Sequence, residues 1–310
     1  MSDDPSDVYW EAEDGFGRLF ATDDADGTLT WRQLFNETRE RIGDAQHAKW
    51  ICQQASDTNG AEWLQALDAK ATNRAVAHLD AMVERRLAGE PLQYVLGSWS
   101  FRRLDLMVDR RVLIPRPETE QVVEVALEHA RLRAAPRLIA DLGTGSGAIA
   151  LSLALELPRA STTIWATDAS ADALDVCRAN LAGIGLAGRS VRIGSGSWFE
   201  ALPDELEASF DVIVSNPPYI ATGAADVEAA VTWWEPHTAL FAGADGLDDI
   251  RTIVGGAMAW LAPGGSLALE IGADQGAAVG YLLDAGGFID VAIGRDLAGL
   301  DRIASGRRPS

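Results

Sequence analysis

The sequence predicts an α/β protein. A mostly parallel sheet is covered by helices on both faces, and a small helical bundle precedes it. Three observations carry this prediction. From Pro136 onward, short β-branched runs alternate with helical patterns. The first of those strands ends in a glycine-rich turn, Gly143-Thr144-Gly145-Ser146-Gly147, and a helix follows at once. Ahead of them, residues 28–89 repeat apolar residues at helical spacing.

In the bundle, Thr30 followed by Gln33 reads as a capping box. Leu34, Thr38 and Ile42 then recur on one face. Asp44 is placed to cap a second helix through Ile51, and Thr72 a third, which Gly89 terminates. Pro91 opens a different texture. Tyr94–Leu96, Trp99–Phe101 and Leu104–Val108 read as hairpin strands, so residues 91–117 are expected to be a hairpin linker. A helix is expected over Glu118–Arg133. The α/β part then predicts strands at Arg137–Asp141, Thr162–Thr167, Ser190–Ile193, Phe210–Ser215, Ser266–Ile271, Ile289–Ile293 and Arg302–Ser305. Helices are expected at Gly147–Glu156, Asp172–Leu181, Leu247–Leu261 and Gln275–Ala285, the third stopped by Pro263-Gly264-Gly265.

Composition narrows the function classes. The 310 residues carry 46 acids against 26 bases, a net charge of -20. Phosphate contacts need clustered cations, and this field repels nucleic acid and anionic membrane. Only two lysines occur, Lys49 and Lys70. Residues 1–27 hold nine acids against Arg18 and read as a solvated leader. Two distant cysteines, Cys52 and Cys177, build neither a disulfide framework nor a thiolate metal site, which suits a cytoplasmic protein. The four histidines lack ligand spacing, so no metal is expected. The longest apolar run, Leu138–Leu157, is broken by Asp141 and three glycines and does not read as a membrane span.

The glycine turn has two functional readings. Gly143, Gly145 and Ala148 satisfy the dinucleotide spacing, with Asp168 at the next strand end to accept ribose hydroxyls. S-adenosylmethionine, a cationic ligand without pyrophosphate, wants an acid just before the turn, and Asp141 stands there. The turn by itself leaves both open.

A second motif, Ser215-Asn216-Pro217-Pro218-Tyr219-Ile220, ends the fourth strand. Consecutive prolines hold an extended turn. The Asn216 side-chain carbonyl and the Pro217 main-chain carbonyl then offer two acceptors to the two N–H bonds of an amide or aromatic amine, with Tyr219 as a planar wall. Such a nitrogen is a weak nucleophile because its lone pair is delocalised. Fixing both hydrogens aims that lone pair and favours a pyramidal transition state.

With these motifs the chain resembles the peptide chain release factor N(5)-glutamine methyltransferase family, from about Thr28 to Arg308. Gly89-Glu90-Pro91-Leu92, Leu113–Glu120, Asp141–Leu151, Asn216–Ile220 and Glu235–Leu240 carry the resemblance. Asn-Pro-Pro-Tyr alone is shared with nucleic-acid amine and ribosomal-protein glutamine methyltransferases. Ile114-Pro115-Arg116-Pro117-Glu118-Thr119-Glu120 points to release factors.

The resemblance implies a class I S-adenosylmethionine-dependent methyltransferase: a Rossmann-like, mostly parallel seven-stranded sheet over 118–310, with residues 28–90 recognising the substrate protein. It implies that Asp141, Gly143, Thr144, Gly145, Ser146, Gly147, Asp168, Trp198 and Asn216 hold the cofactor. Asn216, Pro217, Pro218 and Tyr219 would hold a glutamine of a Gly-Gly-Gln tripeptide, with Asn216, Pro217 and Tyr219 as the catalytic set. Arg116 and Glu118 would lie near the entrance, or serve only as a salt bridge fixing the following helix. Relatives often carry an acid where Ser197 stands, so weaker cofactor binding is expected here. The implied partner is a release factor met by a monomer, without direct contact to nucleic acid or membrane. The competing readings are a nucleic-acid amine methyltransferase, an NAD-type oxidoreductase and a non-catalytic docking module.

Overall fold

The computed structural model describes residues 29–224 and 229–310. The acidic leader at 1–27 lies outside the described residues. The chain divides into two compact units between Leu87 and Ala88.

The first unit is helical: α1 (Trp31–Ile42), α2 (Ala45–Ser56), α3 (Gly60–Ala66) and α4 (Asn73–Leu87). The capping box forms as the sequence predicts, with Thr30 and Gln33 satisfying each other's main-chain N–H groups. Asp44 Oδ1 accepts from the N–H groups of Gln46 and His47 at 2.8 and 2.9 Å. Thr72 Oγ1 accepts from Ala75 N. Leu34, Ala48, Ile51, Trp63, Leu79, Met82 and Val83 fill the interior. The sequence reading missed α3, which opens on a glycine and buries a single residue, Trp63.

The second unit begins with α5 (Leu92–Leu96) and the hairpin β1 (Ser98–Phe101) and β2 (Leu104–Met107). Tyr94–Leu96 is therefore helical, not a strand. Pro91 cannot donate but does accept, and its carbonyl receives the N–H groups of both Tyr94 and Val95. Tyr94 Oη donates to Val112 O at 2.6 Å. Residues 91–117 are part of this unit's core rather than a free linker: Tyr94, Phe101, Leu106, Val112 and Ile114 are buried among its apolar residues. Arg102 ties the hairpin turn to the body. It makes a bidentate pair with Glu156 at 2.7 and 2.8 Å and reaches Glu124 at 2.9 Å.

Next come α6 (Thr119–Leu132), β3 (Arg137–Leu142), α7 (Ala148–Glu156), β4 (Thr162–Asp168), α8 (Ala171–Gly183), β5 (Val191–Ser195) and β6 (Phe210–Ser215). The chain closes with α9 (Ala229–Trp234), α10 (Asp248–Trp260), β7 (Leu261–Glu270), α11 (Gly276–Ala285), β8 (Ile289–Arg295) and β9 (Asp301–Arg307). The seven-stranded sheet runs β5-β4-β3-β6-β7-β9-β8. All neighbours are parallel except those of β9, which pairs antiparallel with β7 and β8. Ile139, Val212 and Val214 face the layer of α6, α7 and α8, while Ala140, Ile213 and Leu267 face α10 and α11. This alternation gives three layers around two buried cores.

α10 stops at Trp260, ahead of Pro263-Gly264-Gly265 as expected, but these three residues do not interrupt the strand that follows. Leu261 already pairs with Phe210, and pairing resumes at Ser266↔Val212, so residues 262–265 bulge within β7. Strand order reverses direction on either side of β3. The crevice at the carboxyl ends of β3, β4 and β6 is therefore where an α/β sheet of this kind takes ligands.

Candidate active site

A cavity of about 520 Å³ opens at those carboxyl ends, a size suited to a nucleoside-type ligand together with a small acceptor group. Gly143, Thr144, Gly145, Ser146, Asp168, Trp198, Asn216 and Pro218 of the expected set line it. Asp141, Gly147, Pro217, Tyr219, Arg116 and Glu118 do not. Each of these absences except that of Glu118 has a structural reason.

Asp141 is fully buried beneath the glycine turn. Its Oδ2 accepts from Thr144 Oγ1 at 2.6 Å and from Ala150 N at 3.0 Å. Burial pushes its carboxyl up to about 7, against the pull of those two donors. Its Oδ1 has no partner among the described residues. Ala150 lies in the first turn of α7, so Asp141 takes the N–H that a pyrophosphate at this helix terminus would want. An anion above the turn would meet this acid, whereas a cationic ligand is favoured by it.

Gly147 has a packing role. At φ +88 a Cβ there would stand 3.0 Å from both Cys177 Sγ and Leu151 Cδ1, so the turn closes on the helices behind it. Gly143 faces the cavity, and a Cβ on it would come within 3.3 Å of the Trp198 ring. Asp168 braces the turn from β4, with Oδ2 accepting from Gly145 N and Oδ1 from Ser170 N, both at 2.9 Å. Each oxygen keeps lone-pair capacity for a ligand hydroxyl.

The acceptor end is built by the β6 exit. Ser215 Oγ donates to Leu142 O at 2.6 Å, locking this exit beside the glycine turn. Asn216 Nδ2 donates to Thr119 Oγ1 at 3.2 Å. Pro217 is buried behind the wall. Tyr219 is not a cavity wall: its hydroxyl donates to Glu270 Oε1 at 3.2 Å, and its carbonyl accepts from Gln275 Nε2 at 2.9 Å. The loop is stitched to 240–242 through Ile220 N→Leu240 O and Ala242 N→Ile220 O. That stitching brings Pro236, Thr238 and Ala239 to the rim. Arg116 pairs with Glu235, whose other oxygen accepts from Ile114 N at 3.0 Å. Arg116 therefore fixes the rim rather than entering the cavity.

Sequence reasoning missed four residues here. Arg111, Thr119 and Asp249 line the cavity. Glu270 lies behind it, 1% exposed. Ser197 does line the wall, and Asp249 supplies a carboxylate elsewhere in it. Among the described residues no cluster of His, Cys, Asp or Glu could hold a metal ion. No described helix is long and apolar enough to cross a membrane. Both cysteines are buried and free, their thiols pushed up to about 12 mainly by burial.

Known proteins match both units. Residues 31–97 match the PrmC N-terminal domain, and residues 122–235 the Methyltransferase small domain. The chain is 46% identical over 235 residues to the release factor glutamine methyltransferase of Xylella fastidiosa, covering 76% of this chain and 82% of that protein. It is 46% identical over 248 residues to the enzyme of the same name from Burkholderia pseudomallei, with 79% and 84% coverage. A solved release factor-specific protein-(glutamine-N5) methyltransferase from Alicyclobacillus acidocaldarius is 29% identical, covering 64% of this chain and 95% of that one, at a TM-score of 0.39. With these identities and this coverage, the chain belongs to the release factor glutamine methyltransferase family.

Proposed function

We propose that this chain transfers the methyl group of S-adenosylmethionine to the side-chain amide nitrogen of the glutamine in the Gly-Gly-Gln tripeptide of peptide chain release factors. The observation that carries the reading is the placement of Asn216 in the same cavity wall as the glycine turn and Asp168. Family membership supports the choice of acceptor. The cofactor supplies a methyl group activated by an adjacent sulfonium.

The chain's residues do the rest. Gly143, Gly145 and Asp168 form the nucleoside half of the wall, and buried Asp141 holds the turn and the start of α7 in place behind it through Thr144 and Ala150. Trp198 offers a ring against the base. Asn216 Oδ1 takes one N–H of the substrate amide and so turns the nitrogen lone pair toward the methyl. No base is needed before transfer, because the proton becomes acidic only after the methyl arrives.

A lone glutamine is too small to identify its protein, so selectivity is assigned to the helical unit, residues 31–87. The reading places the enzyme in the cytoplasm as a monomer, where its substrate is made. A nucleic-acid acceptor is disfavoured by the net charge of -20.

The test is incubation with methyl-labelled S-adenosylmethionine and, separately, release factor, a Gln→Ala release factor, a Gly-Gly-Gln peptide, DNA and RNA. Label is expected on the intact factor, far less on the peptide, and none on the rest. Label on nucleic acid, or on the Gln→Ala factor, overturns the acceptor. Equal rates on peptide and factor remove the recognition role of the helical unit.

A further inference from the structure

We propose that Thr119 and Glu270 are positioning residues that decide which end of the Asn216 amide faces the cavity. The inference rests on the reading of Asn216 as acceptor for the substrate amide.

An asparagine amide is nearly symmetric in shape, and its two ends have opposite hydrogen-bonding character. Turned one way, Asn216 presents an acceptor to the substrate N–H. Turned the other way, it presents a donor that repels the same group. Nothing in Asn-Pro-Pro-Tyr itself selects between the two.

The selection comes from a directed chain of hydrogen bonds. Glu270, at the end of β7, is 1% exposed. As a carboxylate it can only accept. Its Oε2 receives the Thr119 hydroxyl proton at 2.6 Å and its Oε1 the Tyr219 hydroxyl at 3.2 Å. Thr119 is itself buried, at the first position of α6. With its single proton committed to Glu270, it has only lone pairs left for its other neighbour. That neighbour is Asn216 Nδ2 at 3.2 Å. The amide must therefore turn its –NH2 toward Thr119 and its Oδ1 the other way. Glu270 thus sets the polarity of a residue it does not touch, through one hydroxyl. The same carboxylate anchors Tyr219, three residues further along the loop.

The polarity depends on Glu270 remaining ionised. Burial pushes its carboxyl up to about 7, and the repulsion of Glu118 adds to this. Thr119, Tyr219 and the cation of Arg302 pull the other way. Once protonated, Glu270 can donate to Thr119, whose own proton is then free to point at Asn216, and the chain reverses. The charged form, and with it the productive amide orientation, is present above that titration and lost as pH falls through it.

The experiment uses the full chain with release factor and saturating S-adenosylmethionine, measuring single-turnover methyl transfer, and calorimetry for cofactor affinity. Thr119→Val keeps the shape and removes the hydroxyl; Thr119→Ser keeps the hydroxyl. Thr119→Val is expected to slow transfer by about tenfold to a hundredfold, the effect of losing one aimed buried hydrogen bond. Its cofactor affinity should stay within about twofold of wild type, and Thr119→Ser should restore most of the rate. In wild type the rate should fall as pH drops through neutrality, and Glu270→Gln should abolish that limb. Wild-type rate in Thr119→Val, an equal loss in Thr119→Ser, or an acid limb unchanged in Glu270→Gln overturns the proposal. The reading of the acceptor survives any of these results so long as the wild-type chain methylates the release factor and not its Gln→Ala variant.

Discussion

Replacing Asp168 tests the nucleoside half of the site. Its carboxylate braces the glycine turn through Gly145 N and the entry to α8 through Ser170 N, both at 2.9 Å. It also lines the cavity, with lone pairs left over for the ribose hydroxyls of the proposed cofactor. Hydrogen bonds to a charged acceptor contribute about 1.5–3 kcal/mol each. The site is partly exposed, so the lower figure applies to both ribose contacts, and Asp168→Ala should lose about 3 kcal/mol of binding. That is a Kd for S-adenosylmethionine roughly 150-fold weaker. Asp168→Asn keeps one acceptor but turns a donor toward one of the two N–H groups, so its loss should fall between wild type and alanine. The assay is isothermal titration of S-adenosylmethionine, with a urea melt as control. The two N–H groups left by Asp168→Ala can rehydrate, so the melt should move by only about 1 kcal/mol. A Kd for Asp168→Ala within about twofold of wild type, in a protein that melts normally, would refute the assignment.

Three further outcomes follow from the same geometry. Asn216→Ala leaves one substrate N–H unpaired and loses the aim of the nitrogen, so transfer should slow about a hundredfold with cofactor affinity nearly unchanged, read by single-turnover kinetics and titration. Ser197→Asp puts an acid into the cavity wall and should tighten cofactor binding by about 1 kcal/mol; titration showing no gain removes that expectation. Arg102→Ala breaks the half-buried pair with Glu156 and should cost about 2–3 kcal/mol in a urea melt. Glu156 is held below the ordinary carboxylate range first by its hydrogen bond from Arg102. The stability it contributes is therefore complete above its unfolded value of about 4.3 and lost as pH falls through its lower folded value, so wild type and Arg102→Ala should converge in acid.

Most of the sheet was legible because its signals are local. The strands from Arg137 to Ser215 are short apolar or β-branched runs ending at turns, and Thr30 with Gln33 caps α1 within one helical turn. Asn216 and the glycine turn announce themselves by composition. What escaped depends on partners far away in sequence. Thr119 and Glu270 are 151 positions apart, and no spacing rule joins them. Asp249 reads as an ordinary first-turn helix acid until Trp198 is seen to share its cavity. Tyr94 looks like a strand aromatic, yet Pro91 starts a turn of helix there and Val112, on the other side of the hairpin, takes its hydroxyl. Asp141 was expected at the ligand and lies buried beneath the glycine turn, because the Thr144 hydroxyl of the turn and the Ala150 N–H of the helix both donate to it.

The most direct test of the whole account is the position of the transferred methyl. After one round of reaction with a purified release factor, proteolysis and tandem mass spectrometry should place a single methyl on the side-chain nitrogen of the Gly-Gly-Gln glutamine. The Asn216→Ala chain should leave that peptide almost unmodified over the same interval. A methyl on any other residue, or an Asn216→Ala chain that modifies the glutamine at the wild-type rate, would contradict it.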